Sequence, residues 1–339
     1  MTPSIHNIPI LCYHDIGTPG GHPLKLFCDH LDAILEMGFQ TISARELTQI
    51  CRGEKRPRGR QIVITFDDAH VSNWLYAVPE LAKRDMCGVF FPITDFIWDG
   101  PRRTLENAPI FSKASESFRQ ALRNKEYSQF MTRQELASSV HDFGMEIYSH
   151  TTCHQGCFKS LTFLAPVSEG HWSAHGIYDH PADNLPTFDY GSAYAFNGFW
   201  PENQGEENLT FRRRTDAERY DFCLKDFRRS LDVIREINKA DTQLICWPWG
   251  HFDKITVQAA REAGYEGAFS LDRFRNGPGT DPFYLHRIGI GRKKNAAWLK
   301  NRLRMHLTSL GATIFYKFFR KKNEDTTTTP VIWQPRTTS

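Results

Sequence analysis

Apolar runs of two kinds alternate along most of the chain. Ile8 to Tyr13 is a short continuous apolar run of strand type, whereas Phe27 to Met37 repeats apolar residues at helical spacing and stops at Gly38, a natural helix C-cap. Gln40 to Ile42 reads as a strand and Ala44 to Cys51 as a helix. Strands are then expected at Gln61 to Phe66, Gly88 to Pro92, Glu146 to Ser149, Leu244 to Trp247, Gly267 to Leu271 and Phe283 to Ile290. Helices are expected at Trp74 to Arg84, Arg133 to Phe143, Glu218 to Asn238 and Ile255 to Ala263. Strand and helix in turn predict a parallel sheet with helices outside, and such folds carry their chemistry at the carboxyl ends of the strands.

Two stretches interrupt the pattern. Residues 155–216 are rich in His, Trp, Tyr, Asn, Gly and Pro and show little periodicity. So long a segment between regular elements is expected to line or lid a site, and it leaves directly after His154. A smaller excursion spans Phe96 to Gln129. Ala296 to Phe319 interleaves Lys and Arg with Trp, Leu, Met, Ile and Phe and is followed by Arg320-Lys321-Lys322. A helix lying among lipid headgroups and a helix docked on the main domain both suit this segment, while no apolar run reaches the ~18 residues of a span. The Thr-rich end, 323–339, is expected to be disordered.

Chemistry gathers at two of the strand ends. The run Val63-Ile64-Thr65-Phe66 stops at Asp67-Asp68, and neighbouring strand residues face opposite ways, so one carboxylate can bind a cation while the other accepts a proton. After Glu146-Ile147-Tyr148 come His150 and His154, spaced i, i+4. Carboxylate and neutral imidazole are ligands for zinc or a similar divalent ion, and three protein ligands leave a position open for catalysis. A closed structural site drawing on Cys153 and Cys157 is the competing reading.

Thr65-Phe66-Asp67-Asp68 and His150-Thr151-Thr152-Cys153-His154 resemble the first two motifs of the polysaccharide deacetylases, the NodB-homology carbohydrate esterases of family four. Ile10-Leu11-Cys12-Tyr13-His14-Asp15-Ile16 resembles the opening strand of one branch, Met131-Thr132 to Leu136 the helix start before the second motif, Trp247-Pro248-Trp249-Gly250 with Ala263-Gly264-Tyr265 the third-motif region, and Leu285-His286-Arg287-Ile288 the closing strand. The resemblance implies a distorted or incomplete (β/α) barrel of about seven units. Its domain covers 1–294 with the insertion at about 155–216, followed by a basic amphipathic segment at 295–322. It also implies one divalent metal on Asp68, His150 and His154, zinc first, with nickel or cobalt as alternatives, and Asp67 as general base. For the general acid His14 is favoured over His286, with Asp15 or a backbone carbonyl orienting it. The family's third motif often opens with an arginine that keeps the base ionised; Cys246 and Ile245 stand before Trp247 here, so Arg287 is expected to fill that place. Trp247 and Trp249, with Pro248 between them, are expected to wall a sugar groove, and Tyr13 is a further contact that could equally be packing.

Composition narrows the function. A net charge of +3 over 339 residues gives no global argument for nucleic acid. Eight cysteines lack regular spacing and Met1 to Asn7 lacks the features of a signal peptide, so reduced thiols and a cytoplasmic protein, peripheral on the inner face of the inner membrane, are expected. The leading expectation is a metal-dependent N-deacetylase acting on an N-acetylated glycan or lipid-linked glycan precursor of the cell envelope. An amidohydrolase on a non-sugar amide and a non-catalytic glycan-binding barrel are the alternatives.

Overall fold

The computed structural model describes residues 7–203 and 209–319. β1 (Ile10–Tyr13), α1 (Leu24–Glu36), β2 (Phe39–Thr41), α2 (Ala44–Arg52), β3 (Arg60–Asp68), α3 (Val78–Ala82) and β4 (Val89–Pro92) follow in turn. After the first excursion come α4 (Ala114–Asn124), α5 (Arg133–His141) and β5 (Glu146–Ile147). Side chains set these limits. Ser43 accepts from the Glu46 amide to start α2, and Thr132 and Glu135 form a reciprocal capping box that starts α5. The helix expected over Trp74 to Arg84 is α-helical only at Val78–Ala82; Asn73–Ala77 is a wider π turn, and Pro79 lies in the first turn of α3.

β3 is the centre, buried from Gln61 through Asp67, as a strand covered on both faces must be. β1 and β4 flank it in parallel, with Cys12 opposite Thr65 and Asp67 opposite Phe91. β5 extends the sheet beyond β4, and β2 pairs with the start of β3. A second parallel sheet holds β12 (Leu244–Cys246), β13 (Gly267–Ser270) and β14 (Leu285–His286), preceded by α6 (Asp216–Asn238) and interleaved with α7 (Lys254–Ala263). A parallel bridge joins Ser149 to Ile245, and β15 (Ile288–Gly289), one residue after β14, pairs with β1.

Strand parity sorts the core into two layers. Leu11, Tyr13, Ile62, Ile64, Phe66, Phe90 and Ile147 pack under the helices with Phe27, Leu31, Leu81 and Leu136. Ile10, Val63, Val89, Phe91, Leu244, Cys246, Phe269 and Leu285 form the other layer. Asp67, Cys12, Cys246 and Arg287 continue the parity of this second layer at the carboxyl ends of their strands.

The stretch expected to be irregular, 155–216, has a fold of its own. β6 (Gly156–Phe158), β9 (Tyr190–Ser192), β10 (Phe199–Glu202) and β11 (Thr210–Arg213) make an antiparallel sheet, with β7 (Ala165–Pro166) and β8 (Pro186–Thr187) paired beside it. Phe158, Tyr178, Phe188, Phe199 and Phe211 give it a separate core. At the C-terminus α8 (Ala296–Met305) buries Leu299 and Leu303 in the main core, and α9 (Ser309–Phe319) buries Ala312 and Phe315. Residues 320–322 and the tail 323–339 lie outside the described residues.

Candidate active site

The chain turns sharply after three of the strands that feed the site, β3, β5 and β12. φ is 68° at Asp68, 48° at Ala69, 70° at Thr151, 50° at His154 and 56° at Trp249. Left-handed backbone is disfavoured for residues with a Cβ, yet half of the non-glycine residues with positive φ among the described ones are these five. Gly250 is required beside Trp249, because at φ 71° a Cβ would lie 2.7 Å from Leu271 Cβ and 2.8 Å from its amide nitrogen.

Asp67 is 3% exposed and is gripped from three sides. Arg287, itself 0% exposed, donates from Nη1 to Oδ1 at 2.5 Å and from Nη2 to Oδ2 at 2.9 Å. The Cys12 thiol donates to Oδ2 at 3.5 Å and the Cys246 thiol to Oδ1 at 3.6 Å, while Arg287 Nη2 also reaches Cys246 Sγ at 2.9 Å. Burial raises the Asp67 pKa, but the Arg287 guanidinium, joined by His150, outweighs it and holds the carboxyl well below the usual range.

Asp68 turns away from this pair. One ligand atom each of Asp68, His150 and His154 lies within 4.8 Å of the others, and His150 Nε2 is 3.6 Å from Asp68 Oδ1. His150 Nδ1 donates to the Cys246 carbonyl at 3.0 Å, which fixes its tautomer and turns Nε2 to the cluster. His154 Nδ1 is buried with no hydrogen-bond partner. Burial lowers the pKa of His150 to about 4 and that of His154 well below its ordinary value, so both rings are neutral, the form that binds metals. Burial also pushes Asp68 up to about 7, against the charge of His14 and with those of Asp67 and Asp15. A buried imidazole nitrogen without a partner, an oriented neutral imidazole and a carboxylate, all within 4.8 Å, together fit a divalent cation. Cys153 and Cys157 stand outside the cluster: Cys153 Sγ donates to Gln155 and Cys157 Sγ to the Phe196 carbonyl.

The loop bearing both histidines is anchored from α6. Asp226 accepts from Thr152 Oγ1, from the Thr152 amide at 3.2 Å and from Tyr194 Oη at 3.0 Å. Asp226 shares a buried face with Cys223, Phe227, Ser230, Leu231 and Ile234, and a carboxylate on an apolar helical stripe is the sequence signal that would have found it. Cys12 and Cys246 were likewise visible by strand parity with Ile10 and Leu244.

His14 is exposed on the loop after β1, with a ring nitrogen within 4.8 Å of Asp67 and of Cys12 Sγ. The carboxylate of Asp15 accepts from Thr18 Oγ1 and does not orient His14. His286 faces away from Arg287, as neighbours on a strand do, and its ring packs against Phe274 at 5.4 Å. Trp249 forms a wall: its indole is 4.2 Å from the His154 ring and stacks at 5.7 Å on Trp172, which stacks on Phe118 at 4.1 Å. Trp172 and Tyr190 bring the insertion to the rim of the site.

Three of the expected sugar contacts, Trp247, Pro248 and Tyr13, belong to the core instead. Trp247 is 0% exposed and packs with Phe227 and Phe252 beside a buried Pro248, because the turn at Trp249 breaks the parity that would have set both indoles on one face. Tyr13 points under the helices, stacks on Phe66 and hydrogen-bonds His30 Nδ1 at 2.9 Å.

The family model described as polysaccharide deacetylase matches residues 54–268. The chain belongs to this family. The match takes in Asp67, Asp68, His150, His154 and Trp249, while His14 and Arg287 lie beyond its ends. Among curated relatives, YxkH of Bacillus subtilis is 33% identical over 88 residues, 25% of this chain and 32% of that protein. The poly-beta-1,6-N-acetyl-D-glucosamine N-deacetylase of Escherichia coli K12 is 21% identical over 238 residues, 70% of this chain and 29% of that protein. The chain thus spans about a third of the length of these relatives. Among solved structures, a de-N-acetylase from Aggregatibacter actinomycetemcomitans superposes with a TM-score of 0.63 at 18% identity, covering 87% of this chain and 99% of that one. The architecture of the family and that of this chain therefore agree: α/β with parallel strands.

Proposed function

We propose that the chain is a metal-dependent hydrolase that removes the N-acetyl group from an amino sugar of a glycan or lipid-linked glycan precursor in cell-envelope polysaccharide metabolism. The observation that supports this most is an ionised, immobilised Asp67 beside the Asp68, His150 and His154 cluster. A divalent ion, zinc in our reading, held by those three residues would supply Lewis acidity toward the amide carbonyl and lower the pKa of a water. Asp67, acceptor-only while Arg287 keeps it ionised, takes the proton of the attacking water. As the carbon–nitrogen bond breaks, His14 gives a proton to the departing amine, so that acetate and a free amino sugar leave. Trp249 and Trp172 offer flat faces to the sugar ring.

The name of the Escherichia coli relative supports a glycan substrate, and the parity of the strands supports a distorted barrel of about seven units, since the Ser149–Ile245 bridge and the β14–β15 junction link the two sheets. We place the protein in the cytoplasm, at the inner face of the inner membrane, where α9 leaves Leu310, Ile314 and Phe318 exposed on one stripe. Acetate release from a panel of N-acetyl glycans and linked sugars, with and without chelator and added zinc, nickel or cobalt, tests the activity. Hydrolysis of simple amides alone, with every sugar left intact, would sink it.

A further inference from the structure

A cavity of about 460 Å³ opens beside the site, with Cys12 and His14 on one side and Arg273, Lys294, Trp298 and Arg302 around the rest. It is lined by three cations and by no carboxylate. Among the described residues none of the three is ion-paired, although most other arginines of the molecule that approach the surface are. Arg302 is the most committed of them. Its guanidinium lies 4.0 Å from the Phe315 ring and 5.1 Å from the Trp298 ring, and its Nη1 is buried with no hydrogen-bond partner. Burial, and then the charge of Arg273, depress its pKa, so this guanidinium is short of a counter-charge. Lys294 Nζ lies 5.3 Å from the same indole. The helix carrying Trp298 and Arg302 is fixed, since Leu299 and Leu303 sit in the main core. Like charges gathered round one cavity repel unless an anion sits among them, and a dry arginine donor gains most from one.

We infer that this cavity is an anion subsite that takes the phosphate or diphosphate ester of a phosphorylated N-acetyl sugar, placing its acetamido end toward His14 and Asp67. The inference rests on the deacetylase reading for its place in turnover, but not for the binding itself. A single guanidinium pairs fully with one carboxylate, whereas three cations suit a multiply charged group. A nucleotide-diphosphate sugar and a polyprenyl-diphosphate sugar share this chemistry.

Titration of the full chain with inorganic pyrophosphate, followed by calorimetry and by Trp298 emission, tests it, with acetate as the comparator. The wild type should bind pyrophosphate, more weakly as salt rises, and Lys294→Gln and Arg302→Gln should each weaken binding about tenfold. Lys294 is exposed, so its variant reads the subsite without disturbing the fold, and Arg302→Lys should retain part of the affinity. The wild-type preference for a sugar diphosphate ester over a neutral N-acetyl oligosaccharide should fall by a similar factor, and nucleotide-linked and polyprenyl-linked donors then tell the two sources apart. Absence of pyrophosphate binding, equal binding by wild type and both variants, or equal binding of acetate would overturn the subsite. If acetate is still released from a neutral N-acetyl sugar in that case, the proposed function stands; if pyrophosphate binds as expected and no sugar is deacetylated, the function fails and the subsite stands.

Discussion

Arg287 lays both terminal nitrogens of its guanidinium along both oxygens of Asp67, joining the junction of β14 and β15 to the end of β3 across 220 residues of sequence. Both side chains are buried, so the pair works as a unit: the geometry fixes the carboxylate, and the charge keeps it a proton acceptor. Removing one partner strands the other in a dry layer. Arg287→Met should therefore destabilise the fold by about 3–5 kcal/mol, and the added change Asp67→Asn should recover part of that loss by removing the stranded charge. Denaturant unfolding of the single and double variants checks this; equal midpoints for wild type and Arg287→Met would mean the pair carries no such weight.

Asp67→Asn alone should keep the metal and lose about 10²- to 10⁴-fold in turnover, because an amide cannot accept the water's proton. Metal analysis alongside acetate release separates the two effects. A near wild-type rate with bound metal would remove Asp67 from the role of base.

His154→Ala should abolish stoichiometric metal, since it deletes one of the three proposed ligands. Asp226→Asn makes a finer test: it touches no ligand, yet it loosens the Thr152 loop between His150 and His154 and should weaken metal affinity about 10- to 100-fold. Competition with a chelating indicator measures both. If Asp226→Asn holds metal as tightly as wild type, the loop is held by other contacts.

His14→Gln should depress turnover far more than His286→Gln, since His14 reaches within 4.8 Å of Asp67 while His286 packs on Phe274. The reverse order of effects would move the acid role across the strand.

Much of the site was legible because it obeys strand parity. Asp67 ends a strand whose inward residues are Val63 and Thr65, and Arg287 follows Leu285 with the same parity, so a carboxylate and a guanidinium at two strand ends could be expected to meet. The turns were less legible. Trp247 and Trp249 have the same parity, but the left-handed backbone at Trp249 sends one indole to the core and the other to His154. Tyr13 has the outward parity of Leu11, which should have counted against a substrate role. The insertion gave no periodic signal because its strands are two to four residues long and its aromatic core is assembled across a β-ribbon, not along a helix face.

The C-terminal helices divide the two readings of the basic segment between them. α8 is docked: Leu299 and Leu303 are in the core and Lys300 pairs with Glu36, so its removal would damage the domain. α9 is docked on one side only, by Ala312 and Phe315, and leaves Leu310 70% and Phe318 80% exposed with Ile314 between them. No helix among the described residues is long and apolar enough to cross a membrane. An apolar stripe at i, i+4, i+8 next to Lys317, with Arg320, Lys321 and Lys322 following in the sequence, suits the surface of an anionic bilayer, where each basic residue contributes on the order of 1 kcal/mol. The full chain should co-sediment with anionic vesicles at low salt and be released as salt rises. Changing Leu310, Ile314 and Phe318 together to Ser should abolish that recovery while leaving thermal stability close to wild type, because none of the three is buried. Equal recovery of both proteins would mean that the stripe does not meet the membrane.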